Sequence, residues 1–567
     1  MLMNRRTMLR VALSTTGSAA ATAILAACGG DTIAATPTPA TGSAPATLAA
    51  TPLPRPSVTI GATTSSVAVS SPTAMISTGK TIPELKVGVQ KLPATMDPQE
   101  TNNNIAIRVF YSHYDTLIRR DFLDGNKLVP SLATEWKRTD DKTLEMSLRR
   151  DVKWHDGTPF TAADVKYTFD RILGKDPKLI IATPAYFPLA SIEQLDDYRV
   201  RFVSTAIDPI MEKRFAGIGA QIIPVAYHKQ VGADTFRTKS IGTGPYKLVE
   251  FRQDDHITFE ANDVYFGGAP AARRVTFRQI PEVATRVAAI GNGEVDIITN
   301  VPPDQIAPLS MRKDITVTSV PIANINTLVF NMKAKPFDKR EIRQAISYAI
   351  DRKALTEQLF AGYATWTRGY QFEGEDFYDA NRPQTPYDLG KAKQLLQQGG
   401  YAGEQIVYSA YAPSYYTLER EVGEAIIDMW RKAGINGKLE FGDLATKEQT
   451  FDEKNYHAET DSSNDTTADP DGYLWRIWGP DALYQQKGWW ASGSAAEFNR
   501  LGQEARTTLD RAKRAMNYQR MIDIFETEAP GTTLYDAKEP YALRTSVDWI
   551  PYPLYYMDLR AYNFKVR

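Results

Sequence analysis

The chain has 567 residues, a formal net charge of -1 and 43% hydrophobic residues, ordinary values for a globular protein of about three domains. A charge so near zero offers no strongly basic surface, so we expect no nucleic-acid partner. The single cysteine, Cys28, excludes an intrachain disulfide, and the five histidines lie too far apart in sequence for zinc-type spacing. We therefore expect neither a metal site nor a cofactor.

The first 27 residues have the pattern of an export signal. An arginine pair at residues 5–6 precedes a weakly apolar stretch over 11–27, which is too polar for a membrane-spanning helix. Residues 4–9 resemble a twin-arginine signal, although the Sec route stays open. Leu25-Ala26-Ala27-Cys28 resembles a bacterial lipobox, which implies cleavage before Cys28 and lipidation of its thiol. Two acyl chains on this thiol would be enough for stable anchoring.

Residues 28–80 are predicted to form a disordered stalk behind this lipidated cysteine. The segment consists largely of Thr, Pro, Ala and Ser with almost no charge. Such a composition cannot bury enough apolar surface to fold, and its prolines favour an extended spacer. We expect a folded part that is held near a membrane but stands away from it.

The folded part is predicted to begin near residue 82. Leu85 to Val89 predict a first strand, and residues 105–117 predict a helix. Asn102 and Asn103, between these elements, are candidates for hydrogen bonding to a ligand. Helix capping is the alternative interpretation of both side chains.

A strand, a turn and a capped helix are predicted around the string LRRDVKWHDGTPFTAADVKYTF. Apolar residues alternate with polar ones over 144–148, which indicates a half-buried strand. Thr161 with Asp164 three residues later predicts a capping box. His155 and Asp156 would suit an acid–base pair, but a turn explains both residues without chemistry.

Further elements follow in a helix–strand alternation that predicts an α/β fold. Residues 240–246, SIGTGPY, are not a phosphate loop, because an alternating strand and no helix follows them. We interpret their glycines as a tight passage and a candidate hinge. Asp338 is predicted to cap the next well-marked helix, and helices are predicted over 388–398 and 418–432.

The quoted string, the GTGPY segment and NTLVFNMKAKPFDKREIRQAISYAIDRKAL resemble the family 5 extracellular solute-binding proteins. These are the dipeptide-, oligopeptide- and nickel-binding receptors of ABC importers. The resemblance covers residues 82–567. It implies an α/β, two-lobed periplasmic-binding-protein-like fold of class II with an extra domain, mixed sheets flanked by helices and a ligand cleft between lobes.

The resemblance also implies a division into domains. Lobe I would be discontinuous and would comprise residues 81–107, 241–322 and 531–567. The extra domain would span residues 108–240, and lobe II would span residues 323–530.

The function implied is that of a monomeric receptor with no catalytic residues. It would capture a peptide or similar organic solute, close around it and deliver it to ABC permease subunits in the membrane. Its expected location is extracytoplasmic, either lipid-anchored to the outer face of the cell membrane or periplasmic.

The family pattern suggests one charged side chain that binds the solute. In peptide-binding members, an Asp shortly before an Asp-Pro step pairs with the α-amine of the peptide. The matching candidate is Asp465, five residues before Pro470, with Asp461 as second choice. No Arg precedes the helix that begins near Leu418, so the carboxylate clamp of dipeptide receptors is not expected.

Aromatic residues are the remaining candidates for the ligand site. Tyr411, Tyr415, Trp489 and Trp490 lie in loops of the predicted lobe II, where rings could stack on sugars or form side-chain pockets. Core packing is the alternative for each ring. Two other functions stay open: an oligosaccharide receptor of the same family, and a secreted glycoside hydrolase with paired carboxylates.

Overall fold

A computed structural model provides the structure of the protein. It describes residues 80–101, 103–174, 176, 178–179, 186–411, 416–442, 451, 453–454, 456–491 and 493–567. The predicted export signal, Cys28 and the stalk up to residue 79 lie outside the described residues, as do Asn102 and Tyr415.

A long mixed sheet organises the fold, with eleven strands among the described residues. In pairing order they are β15 (Gly437–Gly442), β14 (Ile406–Tyr411), β16 (Ala458–Asn464), β12 (Ile315–Phe330), β17 (Gly531–Arg544), β11 (Ile297–Ile298), β1 (Leu85–Val89), β10 (Arg274–Gln279), β9 (His256–Ala261) and β8 (Tyr246–Arg252), with β13 (Ala364–Thr365) against β17. Strands with both parallel and antiparallel neighbours confirm the mixed sheet that was predicted.

The two longest strands, β12 and β17, join the two halves of this sheet. Residues 315–321 of β12 pair with residues 538–544 of β17 beside β11, and residues 325–329 pair with residues 531–536 beside β16. The register shifts between Pro321 and Ile325, where the pairing is interrupted. The crossing between the halves of the sheet therefore lies here. The hinge role of residues 240–246 stays a prediction.

The SIGTGPY segment is a close-packed crossing of backbones. A Cβ atom on Gly242 would lie 2.1 Å from the carbonyl oxygen of His113, and one on Gly244 would lie 2.7 Å from the same oxygen. The predicted tight passage is confirmed, because no side chain fits at either position.

A second, four-stranded sheet lies in the region of the predicted extra domain. Its strands, in pairing order, are β4 (Ala133–Asp140), β5 (Thr143–Leu148), β7 (Arg199–Ser204) and β6 (Leu189–Asp196). Separate hairpin-like pairs are β2 (Ile118–Asp121) with β3 (Lys127–Pro130), and β18 (Val547–Trp549) with β19 (Phe564–Val566). Burial alternates along β5 as predicted, and the carboxylate of Asp164 accepts the Thr161 backbone N–H at 2.9 Å.

Helices flank both sheets. In chain order they are α1 (Asn104–Phe110), α2 (Ala162–Leu173), α3 (Met211–Arg214), α4 (Val225–Val231), α5 (Ala233–Phe236), α6 (Val283–Gly291), α7 (Pro303–Ser310), α8 (Arg340–Tyr348), α9 (Leu389–Gln398), α10 (Glu419–Ala433), α11 (Leu474–Trp478), α12 (Leu483–Gln486), α13 (Gly493–Arg506) and α14 (Arg511–Glu528), with a π-helical turn at Ala354–Leu359 and a 3₁₀ turn at Pro470–Gly472. None of the helices in the described ranges is long and apolar enough to cross a membrane.

Two predicted helix boundaries are wrong. The helix expected over residues 105–117 ends at Phe110, because the Ser112 hydroxyl then donates to the Met557 carbonyl at 2.7 Å and draws the chain away. Asp338 does not cap α8. The N-cap residue of α8 is Lys339, one residue after the predicted cap. The predicted helices at 388–398 and 418–432 are confirmed as α9 and α10.

Each sheet region has its own apolar core. One cluster packs around β1 and β10, a second packs α8, α9 and α10 on the β14–β12 half, and a third packs α2 on the four-stranded sheet. Separate cores on the two halves of one sheet leave the crossing strands as the continuous connection between them.

Candidate functional site

A crevice lies beside the crossing of β12 and β17 and is lined from both halves of the long sheet. It contains two adjoining cavities of about 360 Å³ and about 30 Å³. Gln90 and Asn300 from one half and Tyr416 and Thr417 from the other line both cavities. The larger volume falls within the range of roughly 300–1,000 Å³ found for small-molecule sites.

A buried network of polar groups forms one wall of the smaller cavity. Arg108 of α1 donates to Glu539 of β17 at 3.2 Å. The backbone and side-chain amides of Asn300 also donate to Glu539, at 3.1 and 3.2 Å. Burial raises the pKa of Glu539 while the neighbouring Arg108 opposes this rise. The network fixes α1 and the segment after β11 against the crossing strand.

Arg286 supports this wall from behind. Its guanidinium donates to the carbonyls of Ile280 at 2.7 Å, Thr299 at 3.1 Å and Asn300 at 3.2 Å. Burial lowers the pKa of Arg286 to about 10. These contacts hold the backbone of the segment that presents Asn300 to the crevice.

The opposite wall comes from the segment before α10 and from aromatic side chains. The Tyr416 hydroxyl lies 2.6 Å from that of Ser462, and Leu418 turns into α10 with a left-handed φ of 59°. Phe360, Tyr535 and Tyr555 line the smaller cavity. The crevice thus combines polar groups on one side with aromatic surface on the other, an arrangement that suits an organic solute.

Asp465 lies outside these two cavities, at the contact between the predicted extra domain and lobe II. Its side chain is 1% exposed and accepts from Arg120 at 2.8 Å and from the backbone N–H of Thr467 at 2.8 Å. Burial opposes ionisation of Asp465, but Arg120 outweighs this and keeps the pKa of the carboxyl below its usual value. Glu375 next to it has a raised pKa, because of burial and the charge of Asp465.

Other contacts accompany this ion pair. Arg214 pairs with Asp471 at 2.6 Å, and Lys213 pairs with Asp376 at 2.6 Å. Both cations belong to the predicted extra domain and both carboxylates to the predicted lobe II. The Asp465 region is therefore part of a charged contact between two parts of the chain. Whether Asp465 also meets a solute stays a prediction.

The second-choice acid and the aromatic candidates are spread over the predicted lobe II. Asp461 accepts a hydrogen bond from the Tyr484 hydroxyl. Trp489 and Trp490 are 0% and 2% exposed and pack in an apolar cluster. Trp489 stacks on Tyr484 with ring centroids 5.5 Å apart. Their contact with a solute stays a prediction.

Tyr411 and Asn103 lie nearer the crevice. Tyr411 ends β14, and its ring centroid lies 5.3 Å from that of Tyr416, a crevice residue. Asn103 caps α1 by accepting from the Ala106 backbone N–H at 2.9 Å, while the adjacent Asn104 lines the smaller cavity. The capping interpretation of Asn103 is therefore confirmed, and its role toward a solute stays a prediction.

His155 and Asp156 belong to a turn, as the alternative interpretation proposed. His155 Nδ1 accepts the Gly242 N–H at 3.0 Å, and its Nε2 donates to the Gly244 carbonyl at 3.0 Å. Burial lowers the pKa of His155 to about 3, so the ring is neutral. Asp156 accepts from the backbone N–H of Thr158 at 2.9 Å. Across the described residues, no cluster of His, Cys, Asp and Glu could hold a metal.

Sequence reasoning missed Arg108, Asn300, Asn326 and Glu539, which all line the smaller cavity. Asn326 shares β12 with Asn324 and several Thr residues, so its asparagine is no distinguishing local signal. The other three come from distant segments and carry no pattern that marks them.

Comparisons with known proteins agree with this architecture. The family model for bacterial extracellular solute-binding proteins, family 5 (middle), matches residues 127–485. The di/tripeptide-binding protein 1 of Pseudomonas aeruginosa is 27% identical over 456 residues, which cover 75% of this chain and 83% of that protein.

Solved structures show the same fold. The dipeptide-binding protein from Pseudoalteromonas sp. SM9913, in complex with Met-Leu, matches with a TM-score of 0.77 and 24% identity over 85% of this chain and 100% of that one. The periplasmic binding protein DppA from Helicobacter pylori, in complex with peptide STSA, matches with a TM-score of 0.76 and 22% identity over 85% and 98%. With its two-lobed α/β fold, the chain belongs to the bacterial extracellular solute-binding proteins of family 5.

Proposed function

We propose that this protein is the substrate-binding receptor of an ABC importer and captures a peptide or similar organic solute in the crevice. The observation that carries the proposal is a crevice lined from both halves of the sheet at the strands that connect them. A solute that touches both halves favours their closed arrangement by its differential affinity, and a membrane permease then receives it. Relatives named or solved as peptide binders support the peptide class.

The finer parts of the proposal concern domains and location. Lobe I comprises residues 81–107, 241–322 and 531–567, the extra domain spans 108–240 and lobe II spans 323–530. The receptor is a monomer that binds its solute without chemical change and works outside the cytoplasm, anchored through lipidated Cys28. Exchanging Cys28 for Ser in the full chain should move the protein from the membrane fraction to the soluble fraction.

Equilibrium dialysis of the full chain against a defined mixture of di- to pentapeptides tests the function. We expect mass spectrometry to find a subset of the peptides retained and chemically unchanged, with a raised melting temperature because the solute binds only folded protein. Retention of maltohexaose in place of peptides would favour the oligosaccharide alternative, and cleaved products would contradict a pure receptor.

A further inference from the structure

The geometry points to Asn326 as a specificity-determining residue, whose side-chain amide pairs with an amide group of the solute, such as a peptide group. This inference rests on the proposed function and deepens it. It concerns a residue on the crossing strand β12 and a class of ligand that carries both a hydrogen-bond donor and an acceptor.

The oxygen of the Asn326 side-chain amide is buried without a hydrogen-bond partner from the protein. The residue is 3% exposed and lines the smaller cavity, and its Oδ1 atom is among the buried polar atoms that no protein group contacts. Most buried side-chain polar atoms in proteins are paired, and an unpaired one costs about 1–3 kcal/mol. An amide oxygen that is buried and unpaired beside a cavity is therefore best explained by a ligand.

A second unpaired group lines the same cavity. The Nε atom of Arg108 is buried without a partner, although the two terminal nitrogens contact Asn300 and Glu539. Glu539 already accepts hydrogen bonds from a terminal nitrogen of Arg108 and from Asn300. It bonds neither to Arg108 Nε nor to Asn326 Oδ1. The cavity thus offers one unpaired amide oxygen and one guanidinium N–H.

These two groups together select among solute chemistries. A carboxylate would satisfy the Arg108 N–H but leave the Asn326 oxygen unpaired, and an ammonium group would do the reverse. A peptide group carries both an N–H donor and a carbonyl acceptor, so it can satisfy both. Phe360, Tyr535 and Tyr555 supply apolar surface around such a group.

The position of Asn326 connects this contact to closure. The pairing between β12 and β17 shifts register between Asn326 and Thr327, within the crossing that joins the two halves of the sheet. A solute bound to Asn326 therefore contacts the connecting strand itself, where a small change in direction alters how the halves meet.

Asn331, which follows the end of β12, provides a matched control. It is 0% exposed, its Nδ2 donates to the Tyr456 carbonyl at 3.1 Å, and its Oδ1 accepts from the Lys333 backbone N–H at 3.0 Å. Both asparagines are buried, but only Asn331 has both ends of its amide bonded to the protein.

The test compares Asn326→Leu and Asn331→Leu in the full chain with the same peptide mixture. We expect Asn326→Leu to keep or raise the melting temperature of the solute-free protein, because no internal hydrogen bond is lost, and to weaken binding of the retained peptides at least about tenfold. Asn331→Leu should lower the melting temperature and leave the affinity of the folded protein unchanged.

Ester analogues of the tightest-binding retained peptide locate the contact. Replacing its amides by esters one at a time removes one N–H donor each time. One analogue should bind wild-type protein about tenfold more weakly than the parent peptide, and should bind Asn326→Leu as well as the parent does.

The outcomes separate the two proposals. If the wild-type protein retains no peptide, the peptide function and this inference both fall. If it retains peptides and Asn326→Leu binds them equally well, the inference falls alone. A melting temperature lowered in Asn326→Leu as much as in Asn331→Leu would show that Asn326 supports the fold, and would also overturn the inference.

Discussion

The crevice differs from the charged contact between the predicted extra domain and lobe II in how its polar groups are paired. In the charged contact, Arg120 pairs with Asp465 and Arg214 with Asp471, and each of these side chains is at most 4% exposed. In the crevice, Asn326 Oδ1 and Arg108 Nε have no partner in the protein. Arg120 Nε in the charged contact has none either, but Asn326 and Arg108 line the smaller cavity and Arg120 does not. The contrast suggests that the ion pairs hold two parts of the chain together, while the unpaired groups that line the cavity serve a solute.

The charged contact is also close at the backbone level. A Cβ atom on Gly217 would lie 2.6 Å from the carbonyl oxygen of Thr466, and Lys213 donates to the Ala468 carbonyl at 2.9 Å. Removing one member of a buried ion pair is costly because the other stays charged and unpaired. The contact can therefore be weakened in graded steps, which allows its role to be separated from that of the crevice.

Asp465→Ala should have the largest effect. We expect the free energy of unfolding to fall by about 3 kcal/mol, because Arg120 is left buried without its counter-charge. Urea denaturation measures the loss, and the double variant Arg120→Leu/Asp465→Leu should recover most of it. Unchanged stability combined with lost peptide binding would contradict this and make Asp465 a solute ligand, as the family resemblance implied.

Gly217→Ala should have the second-largest effect, a lower affinity for the peptide. Its methyl group would collide with the Thr466 carbonyl oxygen, so the predicted extra domain and the predicted lobe II could no longer meet as they do here. We expect isothermal titration with a retained peptide to show about tenfold weaker binding, or about 1.4 kcal/mol. Gly493→Ala is the control, since a Cβ there meets no atom within 4 Å. Equal peptide affinity in both variants would show that this contact does not contribute to solute binding.

Glu375→Gln should produce a smaller, pH-dependent gain. The folded-state pKa of Glu375 is raised by burial and by Asp465, so folded protein keeps a proton that unfolded chain releases above about pH 4.5. Wild-type stability should therefore fall as pH rises through the folded pKa, whereas Gln has no proton to lose. Thermal denaturation should show the variant more stable by about 1 kcal/mol at pH 8, with a smaller difference at pH 5. A difference that does not change with pH would mean that Glu375 ionises freely.

Lys213→Ala should have the smallest effect. The Lys213–Asp376 pair is partly exposed, at 25% and 23% of the two side chains, so its contribution is below about 1 kcal/mol and screened by salt. We expect peptide affinity to fall about twofold at low ionic strength and not at 0.5 M salt. A salt-independent loss would point to the Lys213 contact with the Ala468 carbonyl as the important one.

Local patterns in the sequence were sufficient for many elements of the fold. The strand around Leu144, the capping pair Thr161 and Asp164, and helices α9 and α10 depend on neighbours within about one or two turns. One exception has its origin in a distant segment. The first helix ends early at Phe110 because Met557, from the far end of the chain, binds Ser112.

The candidate site depends on contacts that no local pattern encodes. Arg120 and Asp465 are 345 positions apart, and Arg108 and Glu539 are 431 apart. The partner of a charge decides whether that charge is free for a solute, and these partners meet only after the sheets have formed. Sequence was therefore enough to identify the family, the α/β class and most helices and strands. These follow from hydrophobic periodicity, helix caps and short sequence motifs that resemble the family. Only the tertiary structure decided which polar groups the chain satisfies internally and which, like the Asn326 amide, it leaves for another molecule, because burial and pairing depend on residues brought together from distant segments.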